Sequence, residues 1–353
     1  SGDKMNAPKL RFKEFNDEYI NLKYKDVLKI KSGKDQKKVE CESGIYPILG
    51  TGGQIGKTNS FLYDKPSVLI GRKGTINKPQ YMETPFWTVD TLFYSHIYEP
   101  NIPKYLFYSF QNVNWKKYDE STGVPSLSSS TIESVECNIP SKEEQLKVAD
   151  FLSLLDKKIE LQSKKIEDLK LFKKGLSTTI FNSLRDFEEY KLGKICNITT
   201  GKLDANAMID NGKYRFYTCA KEYSLIDKYA FDTEALLISG NGAYVGYIHY
   251  YKGKFNAYQR TYVLDNFSQN IQFIKCYLEE NLAKRINSEK KEGNTPYIVL
   301  STLSDMVIKI PSKENQIKIS NIINCHNKKI ELEENKLLKL QELKKGLMQS
   351  MFV

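Results

Sequence analysis

The sequence predicts an α/β protein: two similar mixed, mostly antiparallel α/β domains separated by two long antiparallel coiled-coil helices, with a pseudo-twofold internal repeat. A long segment recurs at a fixed offset, both copies have an apolar spacing that alternates three and four, and between the copies the pattern changes to short apolar runs punctuated by Gly, Pro, Asn and Asp. These features predict two domains, each followed by a long helix: residues 1–140, helix 141–182, residues 183–311 and helix 312–353.

The repeat sets the helices. IPSKEEQLKVADFLSLLDKKIELQSKKIEDLKLFKKGLSTTIF, from Ile139 to Phe181, aligns without gaps to IPSKENQIKISNIINCHNKKIELEENKLLKLQELKKGLMQSMF, from Ile310 to Phe352, with 19 of 43 positions identical at an offset of 171. Ser141 with Glu144 forms a capping-box signal just after Pro140, and Ser312 with Asn315 a weaker one. The helix-pairing residues predicted by the heptads are Leu152, Leu155, Ile159, Ile166, Leu169 and Leu176 in the first copy and Ile323, Ile330, Leu337, Leu340 and Leu347 in the second. Polar interruptions fall at matched places, Gln162 and Lys173 against Glu333 and Lys344, and His326 lies on the second seam. A helix of about 40 residues is about 60 Å long. Because a whole domain lies between the copies, antiparallel pairing is expected.

The domains repeat as well. Pro125 and Thr131 match Pro296 and Thr302, SGK at Ser32 to Lys34 echoes TGK at Thr200 to Lys202, and VLIGRKG at Val68 to Gly74 echoes LLISGNG at Leu236 to Gly242. Strands are predicted at Ile45 to Leu49, Val68 to Ile70 and Thr91 to Tyr94, then at Tyr214 to Thr218, Leu236 to Ile238, Tyr244 to Tyr250 and Thr261 to Leu264. Helices are predicted at Pro103 to Asn112 and Asn270 to Ile286.

A net charge of +10, spread along the whole chain, points to a polyanionic partner. The candidate nucleic-acid contacts are loop residues: Thr51, Lys57, Arg72, Lys73 and Ser126 in the first domain, and Lys202, Lys221, Asn241, Gln259, Arg260, Lys291 and Tyr297 in the second. Arginine can grip guanine O6 and N7 with two donors, and glutamine can do the same for adenine N6 and N7.

Catalytic chemistry finds no motif. GTGGQIGKT at Gly50 to Thr58 ends like a phosphate-binding loop, but that motif requires glycine where Thr51 stands. His96, His249 and His326 are far apart with no metal-ligand spacing, and the six cysteines are scattered singly, as expected of reduced, buried thiols. There is no G-x-S-x-G elbow and no Asn-Pro-Pro-aromatic motif. The expectation is a binding protein with no catalytic residue, metal or cofactor of its own. No apolar run is long enough for a membrane span, so a cytoplasmic location is expected. Ser1 to Lys4 read as a frayed or appended terminus ahead of Met5.

The order domain, long helix, domain, long helix, with the repeated phrases IPSKEEQ and IPSKENQ, resembles the specificity subunits of type I restriction-modification systems. VLIGRKGTIN is similar to that family's run of apolar residues, Arg, x, Gly, from which the second domain departs with LLISGNGAYVG. The resemblance implies that each domain is a target-recognition domain reading one half of a bipartite site in double-stranded DNA. The helices would serve as a ruler for the unread spacer and as the docking surface for two methyltransferase subunits. Those partners would bring S-adenosylmethionine, and restriction/translocase subunits would bring ATP and Mg, leaving this chain without a cofactor. Half-sites about one helical turn apart, roughly 34 Å, present the same face of the duplex. The alternatives are a free-standing sequence-specific DNA-binding regulator, an enzyme built on the Gly50 loop, and a single-strand binder using the 23 Tyr and 17 Phe.

Overall fold

The computed structural model describes residues 7–289 and 297–353, so the expectations for Ser1 to Met5, Lys291 and Pro296 lie outside the described residues. The chain divides into two compact units: residues 1–163 with 335–353, and residues 164–334.

Unit 1 contains β1 (Ile20–Lys23), α1 (Tyr24–Val27), β2 (Leu28–Lys31), β3 (Tyr46–Gly50), β4 (Gly53–Thr58), β5 (Ser67–Gly71), β6 (Gln80–Met82), β7 (Trp87–Thr88), β8 (Leu92–Ile97), α2 (Pro103–Asn112), α3 (Ser129–Ser134) and β9 (Glu136–Ile139), and α4 (Lys142–Asn182) begins here. Unit 2 contains the rest of α4, then β10 (Glu188–Lys191), α5 (Leu192–Ile195), β11 (Asn197–Thr200), β12 (Tyr214–Tyr217), β13 (Ser224–Ile226), β14 (Phe231–Ser239), β15 (Ile248–Ala257), β16 (Thr261–Asp265), α6 (Ile271–Glu289), α7 (Leu300–Ser304) and β17 (Val307–Ile310). The helix α8 (Lys313–Met351) begins in unit 2 and ends in unit 1.

The units repeat one another strand by strand. Antiparallel β1–β9 corresponds to β10–β17, and the neighbouring order β2-β8-β5 corresponds to β11-β16-β14. Unit 1 divides its remaining strands between a four-stranded sheet, β2-β8-β5-β6, and a three-stranded one, β4-β3-β7. Unit 2 keeps them in one six-stranded sheet, β11-β16-β14-β15-β12-β13.

Most predicted strands lie where expected, with two differences. Thr51 to Lys57 is largely strand, because Gly50 and Gly53 face each other across a tight turn and β4 pairs back on β3. Tyr244 to Tyr247 is turn rather than strand, because Gly242 before it and Gly246 within it take φ +80 and +81, a conformation open to glycine at little steric cost.

Each unit packs its sheet on a helix and on both long helices. In unit 1, Val148, Ala149 and Leu152 of α4 share a core with Met348, Met351 and Phe352 of α8 and with Tyr105 and Leu106 of α2. In unit 2, Phe181 of α4 and Ile323 of α8 share a core with Phe273, Ile274 and Tyr277 of α6. The Phe352 ring meets Tyr105 at 5.3 Å, and its repeat partner Phe181 meets Phe273 at 6.0 Å. The helix segments run antiparallel within each unit. Asp156 pairs with Lys344 at 2.5 Å in unit 1, while in unit 2 Lys165 pairs with Glu333 at 2.9 Å and Phe172 stacks near His326 at 5.2 Å. Of the predicted helix-pairing residues, Leu152, Ile166, Ile323 and Ile330 are buried, and Leu155, Ile159, Leu169, Leu176, Leu337, Leu340 and Leu347 are half-buried.

The repeated phrase at each helix start has a structural purpose. Ser141 and Ser312 cap α4 and α8 by accepting the N–H of Glu144 and Asn315, each at 3.3 Å. The following glutamines are buried: Gln145 donates to the Pro140 carbonyl and accepts the Ile102 N–H, and Gln316 donates to the Pro311 carbonyl and accepts the Asn270 N–H. They thereby satisfy donors at the starts of α2 and α6. Glu144 does not close a capping box; its buried carboxylate accepts two bonds from Arg11, at 2.8 and 2.7 Å, and one from the Tyr19 hydroxyl at 2.9 Å.

Cys137, Cys196 and Cys276 are buried, and burial pushes their thiols up to about 12, about 12 and about 11. Cys41 and Cys219 are only half-buried, and Cys325 is exposed on α8, so the expectation of uniformly buried thiols fails there.

Candidate nucleic-acid interface

In unit 1 three loops converge around the end of β5. The Arg72 N–H donates to the Thr91 carbonyl at 2.8 Å, the Leu127 N–H to the Arg72 carbonyl at 2.9 Å, and the Gly74 N–H to the Pro125 carbonyl at 2.8 Å. Lys73 forms a bridge with Ser126. The Thr51 hydroxyl oxygen lies 3.9 Å from where a Cβ on Gly74 would stand. Thr51, Arg72, Lys73 and Ser126 are therefore neighbours. Lys57 is exposed near the end of β4, opposite Pro47, and no hydrogen bond or bridge ties it to this group among the described residues.

The Ser121 to Ser126 loop is braced from within. Asp119 accepts the Ser126 and Ser121 N–H groups at 2.9 and 3.0 Å, and these bonds hold its carboxyl below the usual range. Glu120 is likewise lowered, first by the Thr131 hydroxyl and then by that of Ser128.

Unit 2 gathers the corresponding loops. The Gly240 N–H donates to the Arg260 carbonyl at 2.9 Å, the Ile298 N–H to the Gly240 carbonyl at 2.8 Å, and the Gln259 N–H to the Leu203 carbonyl at 2.9 Å. Lys202 and Asn241 are the chain neighbours of Leu203 and Gly240. Gly240, Gln259, Arg260, Tyr262, Tyr297 and Ile298 line a cleft of about 300 Å³. The Gln259 amide donates to Asp204 at 2.7 Å. Lys221 holds its ammonium 5.3 Å from the Tyr244 ring centroid, close to the same loops, since the Cys219 thiol donates to the Arg260 carbonyl at 3.4 Å. His249 sits 2.9 Å from the Ala220 carbonyl; burial lowers its pKa, so the neutral ring donates from Nε2.

Sequence reasoning missed Thr91 and Asp204, which bond Arg72 and Gln259, and Tyr262, which lines the cleft with Arg260. Strand register brings Thr91 to Arg72 across an interval of chain, and no local motif reports such pairing. The buried glutamines had a visible signal, because both copies of the repeat keep the residue.

Among the described residues, no group of three or more His, Cys, Asp or Glu is placed to hold a metal ion, and no helix is long and apolar enough to cross a membrane.

The fold defines a class of protein with two similar α/β units joined through two long helices and a loop cluster repeated in each unit. The profile described as the type I restriction modification DNA specificity domain matches residues 16–171 and again residues 185–342, so the chain belongs to that family. It is 35% identical to the type I restriction enzyme EcoDI specificity subunit of Escherichia coli over 165 residues, 47% of this chain and 36% of that protein. The match thus spans little more than a third of that relative's length. It is 26% identical to a putative type I specificity subunit of Mycoplasma pneumoniae, covering 60% of this chain and 83% of that one. Its fold is similar to the S subunit of a type I restriction-modification system from M. genitalium, at 19% identity and a TM-score of 0.72 over 98% of this chain and 99% of that one.

Proposed function

We propose that the protein is the sequence-specific DNA-binding specificity subunit of a type I restriction-modification enzyme, acting in the cytoplasm and reading a bipartite site in double-stranded DNA. The observation that carries this reading is the duplicated loop cluster. Two units of one chain, each with the same strand register, present cationic and neutral polar side chains on their clustered loops: Thr51, Arg72, Lys73 and Ser126 in one, and Lys202, Lys221, Asn241, Gln259, Arg260 and Tyr297 in the other. Two similar readers on one chain suit a site with two halves. Residues 1–140 and 183–311 act as the recognition domains and residues 141–182 and 312–353 as the spacer helices, which dock two methyltransferase subunits and the restriction subunits. The chain is non-catalytic in this reading; S-adenosylmethionine, ATP and Mg belong to the partners.

Long-read mapping of DNA methylation in the host with and without this gene tests the proposal. Loss of adenine methylation at one bipartite motif is the expected result. Unchanged methylation in cells that make the chain and its partner subunits would overturn it in favour of a free-standing DNA-binding regulator.

A further inference from the structure

The two units supply their arginines from different places in the sequence, yet strand register puts both on one backbone pair. In unit 1, Ile70 faces Phe93 and Gly71 faces Leu92; in unit 2, Ile238 faces Tyr262 and Ser239 faces Thr261. The next pair outward is Arg72 with Thr91 in unit 1 and Gly240 with Arg260 in unit 2. In each, the first residue's N–H donates to the second residue's carbonyl, at 2.8 and 2.9 Å. The third strand of the cluster joins at the same atom in both: the Leu127 N–H bonds the Arg72 carbonyl, and the Ile298 N–H bonds the Gly240 carbonyl. Two residues further on, Gly74 and Gly242 both turn the chain at positive φ, +86 and +80.

Packing explains why the arginine changes strand. A Cβ on Gly240 would stand 2.4 Å from the Arg260 carbonyl oxygen and 3.1 Å from a ring carbon of Tyr262, so that position admits no side chain. An arginine on this pair in unit 2 has to come from position 260. An aromatic residue also stands at the same register position in both units, Phe93 opposite Ile70 and Tyr262 opposite Ile238. The Arg72 guanidinium carbon lies 6.0 Å from the Phe93 centroid, and Arg260 lines its cleft together with Tyr262. A ring of this kind supports a guanidinium and leaves its donor edge free.

We propose that Arg72 and Arg260 are equivalent base-reading residues delivered from opposite strands of one backbone pair, each specifying a guanine in its own half-site. The inference rests on the DNA-reading proposal above and adds which side chain reads a base in each half-site. Two parallel donors to guanine O6 and N7 are the chemistry a guanidinium offers in the major groove.

The test starts from the motif mapped with the unaltered chain. Duplexes with each of the four bases at every motif position are bound to the purified complex of the full chain and its host methyltransferase subunits. Arg72→Ala is expected to erase a ten- to hundredfold preference for guanine at one position of one half-site, and Arg260→Ala to do so in the other half-site only. Arg72→Gly combined with Thr91→Arg converts unit 1 to the arrangement of unit 2 and is expected to restore most of the preference lost in Arg72→Gly. Circular dichroism confirms that each variant is folded. Equal weakening on every sequence would make the arginines phosphate contacts and overturn the inference, as would both variants altering the same half-site. Failure of the double variant to restore the preference would overturn the opposite-strand equivalence. If the unaltered chain has no bipartite motif, the DNA-reading proposal itself falls.

Discussion

Strand β15 of unit 2 runs unbroken from Ile248 to Ala257, whereas in unit 1 the same path is cut into β6 and β7. The registers prove the correspondence. Leu69 faces Gln80 as Leu237 faces His249, and Ile48 lies beside Trp87 as Phe216 lies beside Asn256. Between these points unit 1 reads Glu83, Thr84, Pro85, Phe86 and unit 2 reads Lys252, Gly253, Lys254, Phe255. Both phenylalanines are fully buried, so the core demand is the same. Pro85 has no N–H to give a ladder and interrupts the strand, while Gly253 at φ +135 lets β15 bend and continue. One sheet becomes two through a local backbone choice, while the buried phenylalanine is kept.

A second contrast lies at the helix starts, and it predicts the largest difference in stability. Glu144 is buried with Arg11 and Tyr19, while its repeat partner Asn315 is exposed. Glu144→Ala strands a guanidinium and a hydroxyl and should cost about 3 kcal/mol, against less than about 0.5 kcal/mol for Asn315→Ala. Both tryptophans, Trp87 and Trp115, belong to unit 1, so tryptophan emission during urea unfolding reports that unit. Equal effects of the two substitutions would remove the contrast. The glutamines sharpen the comparison from the other side, because there the units agree. Gln145→Ala and Gln316→Ala should each cost about 2 kcal/mol by leaving the starts of α2 and α6 unsatisfied. Tryptophan emission reads the first and far-ultraviolet circular dichroism the second; a difference of more than about 1 kcal/mol would show that the two bonds are not equivalent. The smallest effect belongs to the strand itself. Gly253→Ala should destabilise unit 2 by about 1–2 kcal/mol through its positive φ, with tryptophan emission unmoved. An unchanged melting temperature would mean that β15 does not depend on that bend.

The long helices were legible in the sequence because their information is local: heptads and a gapless repeat mark both without knowledge of the rest. The echo of VLIGRKG and LLISGNG likewise set Arg72 against Gly240, and strand register agrees with it. What stayed hidden was pairing across strands. Nothing near Arg260 in the chain announces that its carbonyl holds Gly240, or that Gln259 would be taken up by Asp204. The Gly50 segment was misjudged as loop because its glycines speak for a turn, while the strand that follows is stabilised by β3 rather than by its own composition.

Unit 2 is one continuous stretch of chain, and unit 1 is assembled from two stretches that flank it. Biosynthesis therefore meets the units in reverse order of their numbering. Residues 164–334 can leave the ribosome and close their core while unit 1 still waits for Met348, Met351 and Phe352, and for Ser350, whose carbonyl receives the Leu10 N–H at 2.8 Å. Until that late helix arrives, the nascent first unit lacks these three core side chains and leaves exposed the apolar surface they cover, the Tyr105 ring included.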